Sequence, residues 1–284
     1  MAAREARALT PLVSAENLAR HPEWQLFDCR YDLGNAALGE QQYAKAHLPG
    51  ARFAHLDRDL SAPKTGANGR HPLPDPRAVA AWLGEAGVTR EDVVVAYDAG
   101  NATMAARLWW TLRWLGHEAV AVLDGGFARW VAESRPVTAD IPRFDPARYE
   151  VALRAEASVD VAAVERHLGA ARQVLLDARA APRFRGESEP IDPVAGRIPG
   201  AQNRFCGENL TAEGRFKSAD SLRREFGALL GDRDPSGVVH YCGSGVAACH
   251  NALAMQIAGL AGSRVYVGSW SEWIADPRRP QEKG

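Results

Sequence analysis

The amino-acid sequence contains the same series of short motifs twice, and this repeat limits the possible folds more than any other feature. Four pairs of segments match in the same order, at offsets of 149, 150, 144 and 143 residues. The matching segments are 27–30 and 176–179, 46–51 and 196–201, 95–100 and 239–244, and 124–130 and 267–273. A repeat of this length predicts two duplicated domains, 1–140 and 158–284. Residues 141–157 contain prolines and are predicted to form the linker between them.

Short apolar runs alternate with helical patterns in both halves of the chain. This alternation predicts an α/β fold, with a mainly parallel sheet flanked by helices in each domain. The predicted strands are 25–29, 51–56, 92–97, 119–123, 173–177, 237–241 and 264–267. The predicted helices are 15–20, 40–45, 76–85, 102–115, 127–132, 159–168, 219–230, 246–257 and 270–274. In sheets of this kind, functional loops follow the carboxyl ends of the strands.

The composition argues against several classes of partner. The 284 residues include 34 basic and 35 acidic side chains, a net charge of -1, so no global field favours nucleic acid or an anionic membrane. No apolar run approaches the roughly 20 residues of a membrane span, and the N-terminus lacks a secretory signal. The four cysteines are scattered, at positions 29, 206, 242 and 249. They suggest free thiols in a reducing compartment, the cytoplasm. Their spacing does not suit zinc, and no metal or cofactor is expected.

Cys242 is the strongest candidate for chemistry. It follows the apolar run 237–241 and precedes the turn Gly243-Ser244-Gly245, after which a helix is predicted. Glycines let the backbone fold closely around the sulfur, and the N–H groups of the turn can stabilise a thiolate. The pattern favours a nucleophile that attacks sulfur or phosphorus. The alternative interpretation is an inert, buried cysteine at the end of a strand.

Three motifs together resemble the rhodanese, or sulfurtransferase, family. Residues 43–51 resemble its N-terminal signature, and residues 268–273 resemble its C-terminal signature. The loop 242–246 is similar to the active loop of the 3-mercaptopyruvate sulfurtransferase branch. The resemblance covers nearly the whole chain as two tandem rhodanese-like domains. It implies that the thiolate of Cys242 takes a sulfur atom from a small donor, carries it as a persulfide, and gives it to an acceptor.

The resemblance also implies roles for individual residues. Asp57 and His71 match a pair that joins the loop residue Ser244 in a proton relay, so the first half would contribute to the site of the second. Arg183 matches an arginine that binds the anionic donor, and a guanidinium suits a carboxylate. The remaining residues expected to bind substrate belong to the active loop and the start of its helix: Gly243, Gly245, Val246 and Ala247.

The sequence departs from the family pattern at two positions of the second half, Asp192 and Ala247. Asp192 lies nine residues after Arg183, where mercaptopyruvate enzymes usually carry a second anion-binding arginine, and Arg185 or Arg197 is a candidate to compensate. Ala247 replaces a usual threonine. Asp98 occupies the place of the nucleophile in the first half and cannot form a persulfide, so the first domain is expected to be catalytically silent.

The charge of the active loop bears on the donor. The pair Gly243-Ser244 supplies no cation, whereas the thiosulfate-using branch carries a basic pair there. A singly charged mercapto acid is therefore the expected donor, with thiosulfate as the alternative. The acceptor is expected to be a thiol, such as thioredoxin or a small thiol, or cyanide.

Three other functions compete with sulfur transfer as interpretations of these motifs. A cysteine phosphatase needs an arginine six residues after its nucleophile, and that position is Ala248. The spacing Gly243-x-Gly245-x-x-Ala248 imitates a dinucleotide-binding motif, but the next predicted strand ends without an acidic ribose partner. A non-catalytic sulfur-carrier or binding module remains an alternative, against which the retained Cys242 argues.

Overall fold

A computed structural model of the chain describes residues 9–170 and 173–284. The described residues form two compact units. Unit 1 contains the described residues up to Ser61, together with Pro74–Arg154 and Ala212–Arg215. Unit 2 contains Ala62–Leu73, Ala155–Thr211 and Phe216–Gly284. Each unit therefore includes a short segment from the opposite half of the sequence. Most of the segment predicted as a linker, 141–154, groups with unit 1.

Unit 1 is built on a five-stranded parallel sheet. Its strands are β1 (Leu12–Val13), β2 (Gln25–Asp28), β3 (Arg52–Phe53), β4 (Val94–Tyr97) and β5 (Val120–Leu123). Their order across the sheet is β1-β5-β4-β2-β3. The helices are α1 (Ala15–Ala19), α2 (Leu38–Lys45), α3 (Pro76–Glu85), α4 (Thr103–Trp114) and α5 (Gly126–Ala132). The central strand, β4, leads into the loop that contains Asp98.

Unit 2 repeats this architecture. Its strands are β6 (Ser158–Val159), β7 (Val174–Asp177), β8 (Gln202–Asn203), β9 (Val238–Tyr241) and β10 (Arg264–Tyr266), in the parallel order β6-β10-β9-β7-β8. The helices are α6 (Val161–Arg166), α7 (Ala181–Phe184), α8 (Ala219–Leu230), α9 (Val246–Ile257) and α10 (Ser269–Trp273). The central strand here is β9, which leads directly to Cys242. The predicted α/β class is confirmed.

Helix α3 begins where its sequence predicts. Asp75 precedes the helix in an extended conformation, and its carboxylate accepts the N–H of Arg77 at 2.7 Å. Pro76 occupies the first helical position, where its missing N–H leaves no unsatisfied donor. The apolar residues Val79 and Leu83 are both buried. The helices predicted at 219–230 and 246–257 also have the predicted bounds.

Several short elements differ from the sequence prediction. The strand predicted at 51–56 contains only the two residues of β3. Its apolar residues Ala54 and Leu56 are buried in irregular chain, which an apolar run cannot distinguish from a strand. The helix predicted from residue 159 begins at Val161, because Ser158–Val159 pairs with β10 and Asp160 caps the helix. The elements β1, β8 and α7 are too short to give a periodic pattern.

Apolar clusters pack against each sheet. In unit 1 the cluster includes Leu48, Tyr97 and Trp130. In unit 2 it includes Tyr241, Trp270 and Trp273, all of them fully buried. Trp270 and Trp273 belong to the C-terminal motif, so this motif contributes directly to the core of unit 2. Among the described residues, no helix is both long and apolar enough to cross a membrane.

Candidate active site

Cys242 lies at the carboxyl end of β9, the central strand of unit 2. Its side chain is buried in a loop that turns from the strand into α9. The sulfur accepts hydrogen bonds from two backbone N–H groups, those of Ser244 at 3.4 Å and Gly245 at 3.1 Å. Amide dipoles aimed at the sulfur stabilise negative charge there. The loop therefore has the geometry that the sequence predicted for a nucleophilic thiolate.

Gly245 is required by the shape of this loop. Its φ is +80°, in the left-handed region, and a Cβ at this position would lie 2.3 Å from the carbonyl oxygen of Val267. The active loop and the chain directly after β10 therefore approach each other closely at Gly245. Val246 and Ala247 follow as the first two residues of α9. N–H groups in a first helical turn have no intrahelical acceptor, so these two residues suit the predicted role in binding sulfur or donor.

The C-terminal motif holds the backbone of the active loop through three hydrogen bonds. The N–H of Trp270 donates to the carbonyl of Cys242 at 3.0 Å, and the N–H of Ser271 donates to the carbonyl of Gly243 at 2.9 Å. The N–H of Cys242 donates to Oγ of Ser269 at 3.1 Å. The motif at 268–273 is therefore a structural support of the loop as well as part of the core.

Unit 2 includes the segment Ala62–Leu73, which brings His71 to the loop. The N–H of Arg70 donates to Oγ of Ser271 at 3.0 Å, so the C-terminal motif anchors this segment too. Nδ1 of His71 lies 2.9 Å from Oγ of Ser244, and both side chains are buried. Two members of the predicted proton relay are thus in hydrogen-bond contact, two residues from Cys242.

Asp57, the third member of the predicted relay, belongs to unit 1. Its Oδ2 accepts a hydrogen bond from the hydroxyl of Tyr31. Burial and this hydrogen bond raise the pKa of Tyr31, so the phenol stays protonated and donates. The role of Asp57 in the relay stays a prediction.

Arg183 lies in α7 and is held by two buried carboxylates. Its Nη2 contacts Glu189 at 2.6 Å and Asp192 at 3.1 Å. Asp192 is therefore not an isolated departure from the family pattern, because its carboxylate pairs with Arg183 on one side and with Arg70 on the other. The candidates Arg185 and Arg197 form ion pairs with Glu187 and Glu282, and a compensating role for either of them stays a prediction.

Arg70 is a site residue that sequence reasoning missed. A Cβ built on Gly243 would lie 2.7 Å from Nη2 of Arg70 and 3.4 Å from Nη2 of Arg183, so both guanidinium groups lie over the active loop. Burial lowers the pKa of Arg70, and the charge of Arg183 adds to this effect, while the charge of Cys242 opposes it. The only sequence feature that could have assigned Arg70 to the site is its position immediately before His71.

The three other thiols are poor nucleophiles. Burial, reinforced by nearby carboxylates, raises the pKa of Cys29 well above its ordinary value. Burial and the charge of Cys242 raise the pKa of Cys206 to about 12. Cys249 is fully buried in α9 and its Sγ lies 3.1 Å from the carbonyl oxygen of Gly245. All four cysteines are free thiols.

Asp98 occupies the corresponding loop of unit 1, after β4. One of its carboxylate oxygens accepts the N–H groups of Gly100 at 2.9 Å and Ala102 at 3.0 Å. The other accepts those of Met104 at 2.9 Å and Ala105 at 3.3 Å. Burial raises the pKa of Asp98, and the four hydrogen bonds oppose this effect. The amides that would surround a reacting sulfur are thus already occupied by a side chain.

Comparison with known proteins shows which chains this one is similar to. The model of the rhodanese-like domain matches residues 13–133 and 160–276. A Pseudomonas aeruginosa protein named as a probable 3-mercaptopyruvate sulfurtransferase is 47% identical over 278 residues, covering 96% of this chain and 98% of that protein. The thiosulfate sulfurtransferase of Cricetulus griseus is 33% identical over 260 residues, covering 89% and 86%. The structure of 3-mercaptopyruvate sulfurtransferase from Leishmania major superposes with a TM-score of 0.83 at 30% identity, covering 95% of this chain and 75% of that one.

The chain belongs to the rhodanese-like family and contains its domain twice. The predicted family, fold and sulfurtransferase class of enzyme are thereby confirmed. The roles of the individual site residues remain predictions, and the contacts described above indicate which atoms each role would involve.

Proposed function

We propose that this enzyme takes a sulfur atom from 3-mercaptopyruvate and transfers it to a thiol acceptor through a persulfide on Cys242. The observation that carries the proposal is the arrangement around one buried thiol. Two amide N–H groups point at the sulfur of Cys242, and the His71–Ser244 pair lies beside it. A mercapto acid needs both features, because its sulfur must be attacked and its carbon must be protonated.

In the first half-reaction, the thiolate of Cys242 attacks the thiol sulfur of the donor. A sulfur–sulfur bond forms and the donor's carbon–sulfur bond breaks, with its electron pair passing to carbon as the enolate of pyruvate. The Ser244 hydroxyl supplies a proton to that carbon and is reprotonated through His71, in the manner of general acid catalysis. The products are pyruvate and the persulfide, which the loop amides stabilise.

In the second half-reaction, an acceptor thiolate attacks the outer sulfur of the persulfide. The bond to Cys242 breaks, its electron pair returns to that sulfur, and the thiolate is regenerated. Electrons balance without a redox cofactor, so we propose none. Thioredoxin, a small thiol or cyanide is the proposed acceptor. The free thiols of the chain support a cytoplasmic location, where they stay reduced.

Two measurements test the proposal. Intact-mass spectrometry after incubation with 3-mercaptopyruvate should show the gain of one sulfur atom, located at Cys242 by peptide mapping. Steady-state kinetics with 3-mercaptopyruvate and thiosulfate, side by side, should give the larger kcat/KM for 3-mercaptopyruvate. Absence of the sulfur adduct with every donor would instead favour a binding module.

Thiosulfate is the second candidate donor. The observation that favours it is the presence of two guanidinium groups, from Arg70 and Arg183, over a loop that carries no cation of its own. Their charges are offset by the carboxylates of Asp192 and Glu189, which argues for a singly charged donor. A kcat/KM for thiosulfate equal to or above that for 3-mercaptopyruvate would decide for this alternative.

The proton relay predicts an effect that depends on the donor. Ser244→Ala and His71→Gln should each lower kcat with 3-mercaptopyruvate by about 10²- to 10⁴-fold, because the departing carbon requires a proton. With thiosulfate the loss should be much smaller, since sulfite departs as a stable anion. The readout is kcat for both donors in each variant. Equal losses with the two donors would contradict a protonation role.

Arg183 is expected to bind the donor's anionic group. Loss of one charge-assisted hydrogen bond of this kind should raise the donor KM by about ten- to hundredfold in Arg183→Ala. The matched control is Arg185→Ala, two residues away, whose guanidinium is exposed and paired with Glu187. The measurement is KM for 3-mercaptopyruvate in both variants. If both retain the parent KM, Arg183 does not contact the donor.

A further inference from the structure

The guanidinium groups near Cys242 belong to a cluster of alternating charges. Its six members are three arginines and three carboxylates, connected in the order Arg70, Asp192, Arg183, Glu189, Arg179 and Asp177. The formal charges of this arginine–carboxylate cluster sum to zero. The cluster lies entirely within unit 2 and draws on three segments: 62–73, the chain around α7, and the end of β7.

The two signs are not equally accessible. The side chains of Arg70 and Arg183 are 27% and 16% exposed, whereas those of Asp192 and Glu189 are 2% and 3% exposed. The nearly fully buried carboxylates thus pair with guanidinium groups that are partly exposed. An anion at this loop has partly exposed N–H donors beside it and a fixed negative charge close by, since Oδ2 of Asp192 lies 3.6 Å from the position of a Cβ on Gly243.

Some of these donors remain available for a ligand. Within the described part of the chain, neither Nη2 of Arg70 nor Nη1 of Arg183 donates a hydrogen bond. Nη2 of Arg70 is also the atom nearest to the position of a Cβ on Gly243, next to the reacting sulfur. Two guanidinium groups that approach a single point from different segments suit a carboxylate, which accepts on both oxygens.

We propose that Arg70 acts with Arg183 to bind the anionic group of the donor, and that Asp192 is a fixed counter-charge that selects a singly charged donor. Arg70 thereby serves as the second anion-binding arginine, which related enzymes usually carry at the position of Asp192. This inference rests on the proposed function, because it concerns the donor of the same reaction. It assigns donor choice to Asp192 rather than to the uncharged pair Gly243-Ser244.

The expected selection follows from Coulomb's law, in which the interaction energy scales with the product of the two charges. Repulsion between the carboxylate of Asp192 and a bound anion is twice as large for doubly charged thiosulfate as for singly charged 3-mercaptopyruvate at the same distance. The carboxylate is nearly fully buried, so solvent screens this repulsion less than at the surface. Removing its charge should therefore improve the use of both donors, and that of thiosulfate by the larger factor.

Asp192→Asn tests the role of the counter-charge. The ratio of kcat/KM for thiosulfate to that for 3-mercaptopyruvate should rise by about tenfold or more, since each 1.4 kcal/mol changes a rate ratio tenfold. A ratio cancels any loss of correctly folded enzyme, so partial misfolding of the variant does not obscure the result. The matched control is Glu187→Gln, an exposed carboxylate paired with Arg185, which should leave the ratio unchanged. An unchanged ratio in Asp192→Asn would overturn the proposal.

Arg70→Ala tests the second guanidinium. KM for both donors should rise by about tenfold, with a smaller change in kcat, and Arg70→Lys should recover part of the loss. Parent KM values in Arg70→Ala would overturn the assignment. Peptide mapping of the Cys242 persulfide separates this failure from failure of the proposed function. A persulfide that forms with parent KM values refutes Arg70 alone, whereas no persulfide in the parent enzyme refutes the reaction itself.

Discussion

Cys242→Ser is expected to abolish sulfur transfer, lowering kcat by about 10⁴-fold or more with any donor. The serine hydroxyl is neutral at physiological pH, and no sulfur–sulfur bond can form on its oxygen. The loop itself should survive, because its backbone is held by Ser269 and Trp270 through atoms that the substitution leaves in place. The measurements are steady-state rates with 3-mercaptopyruvate and thiosulfate, with intact mass after exposure to each donor.

The matched control for this variant is Cys206→Ser, with Cys29→Ala as a second. Cys206 also lies in unit 2, but its thiol stays protonated at neutral pH because its pKa is raised to about 12. Both controls should keep most of the parent activity, and their persulfide should still map to Cys242. Sulfur transfer by Cys242→Ser at the parent rate would refute the whole assignment of the site.

The sequence predicted the main features of the fold because its signals are long or repeated. The duplicated motifs predicted two similar domains, and helices such as α3 and α8 have both a side-chain N-cap and an apolar face. Two-residue strands could not be predicted, because Gln202–Asn203 forms only a short pairing with β7 and has no period to detect. Its extended conformation depends on the neighbouring strand rather than on its own residues.

The site was predictable where it coincides with a motif. Cys242, Ser244 and His71 follow from the active loop and the family pattern, and the structure places His71 against Ser244. Arg70 was not predicted, because its position over the loop depends on how segment 62–73 packs in unit 2. Asp192 was identified only as a missing arginine. Its role as a partner of two arginines depends on contacts across 122 residues of sequence, which no local pattern reveals.

The two central loops show how one backbone arrangement can support either chemistry or stability. In unit 2, two N–H groups donate to the sulfur atom of Cys242. In unit 1, four N–H groups bind the carboxylate of Asp98, which fills the same region of the loop. Because all four N–H groups are bound to Asp98, they are not available to a substrate. We therefore expect Asp98 to stabilise the fold of unit 1.

Asp98→Ala is therefore expected to destabilise unit 1 by about 3 kcal/mol or more. Each buried N–H left without an acceptor costs about 1–3 kcal/mol, and water entering the cavity recovers part of the loss for the four groups. The measurement is urea unfolding followed by tryptophan fluorescence. Trp109, Trp110 and Trp114 in α4, directly after the loop, report on unit 1. Asp98→Asn should lose less, because its amide oxygen still accepts from two of the four N–H groups.

The matched control for Asp98→Ala is Cys242→Ala, which changes the equivalent position of unit 2. Only two hydrogen bonds to sulfur are lost there, and sulfur is a weak acceptor, so the change in unfolding free energy should be about 1 kcal/mol or less from these bonds. The two variants should thus separate the two properties. Cys242→Ala loses activity and keeps most of its stability, while Asp98→Ala loses stability and, below its unfolding transition, keeps the Cys242 persulfide chemistry. If the free energy of unfolding of Asp98→Ala were within about 0.5 kcal/mol of the parent value, the effect would be no larger than that of an ordinary surface substitution. That result would contradict the role of Asp98 as the internal ligand of the silent loop.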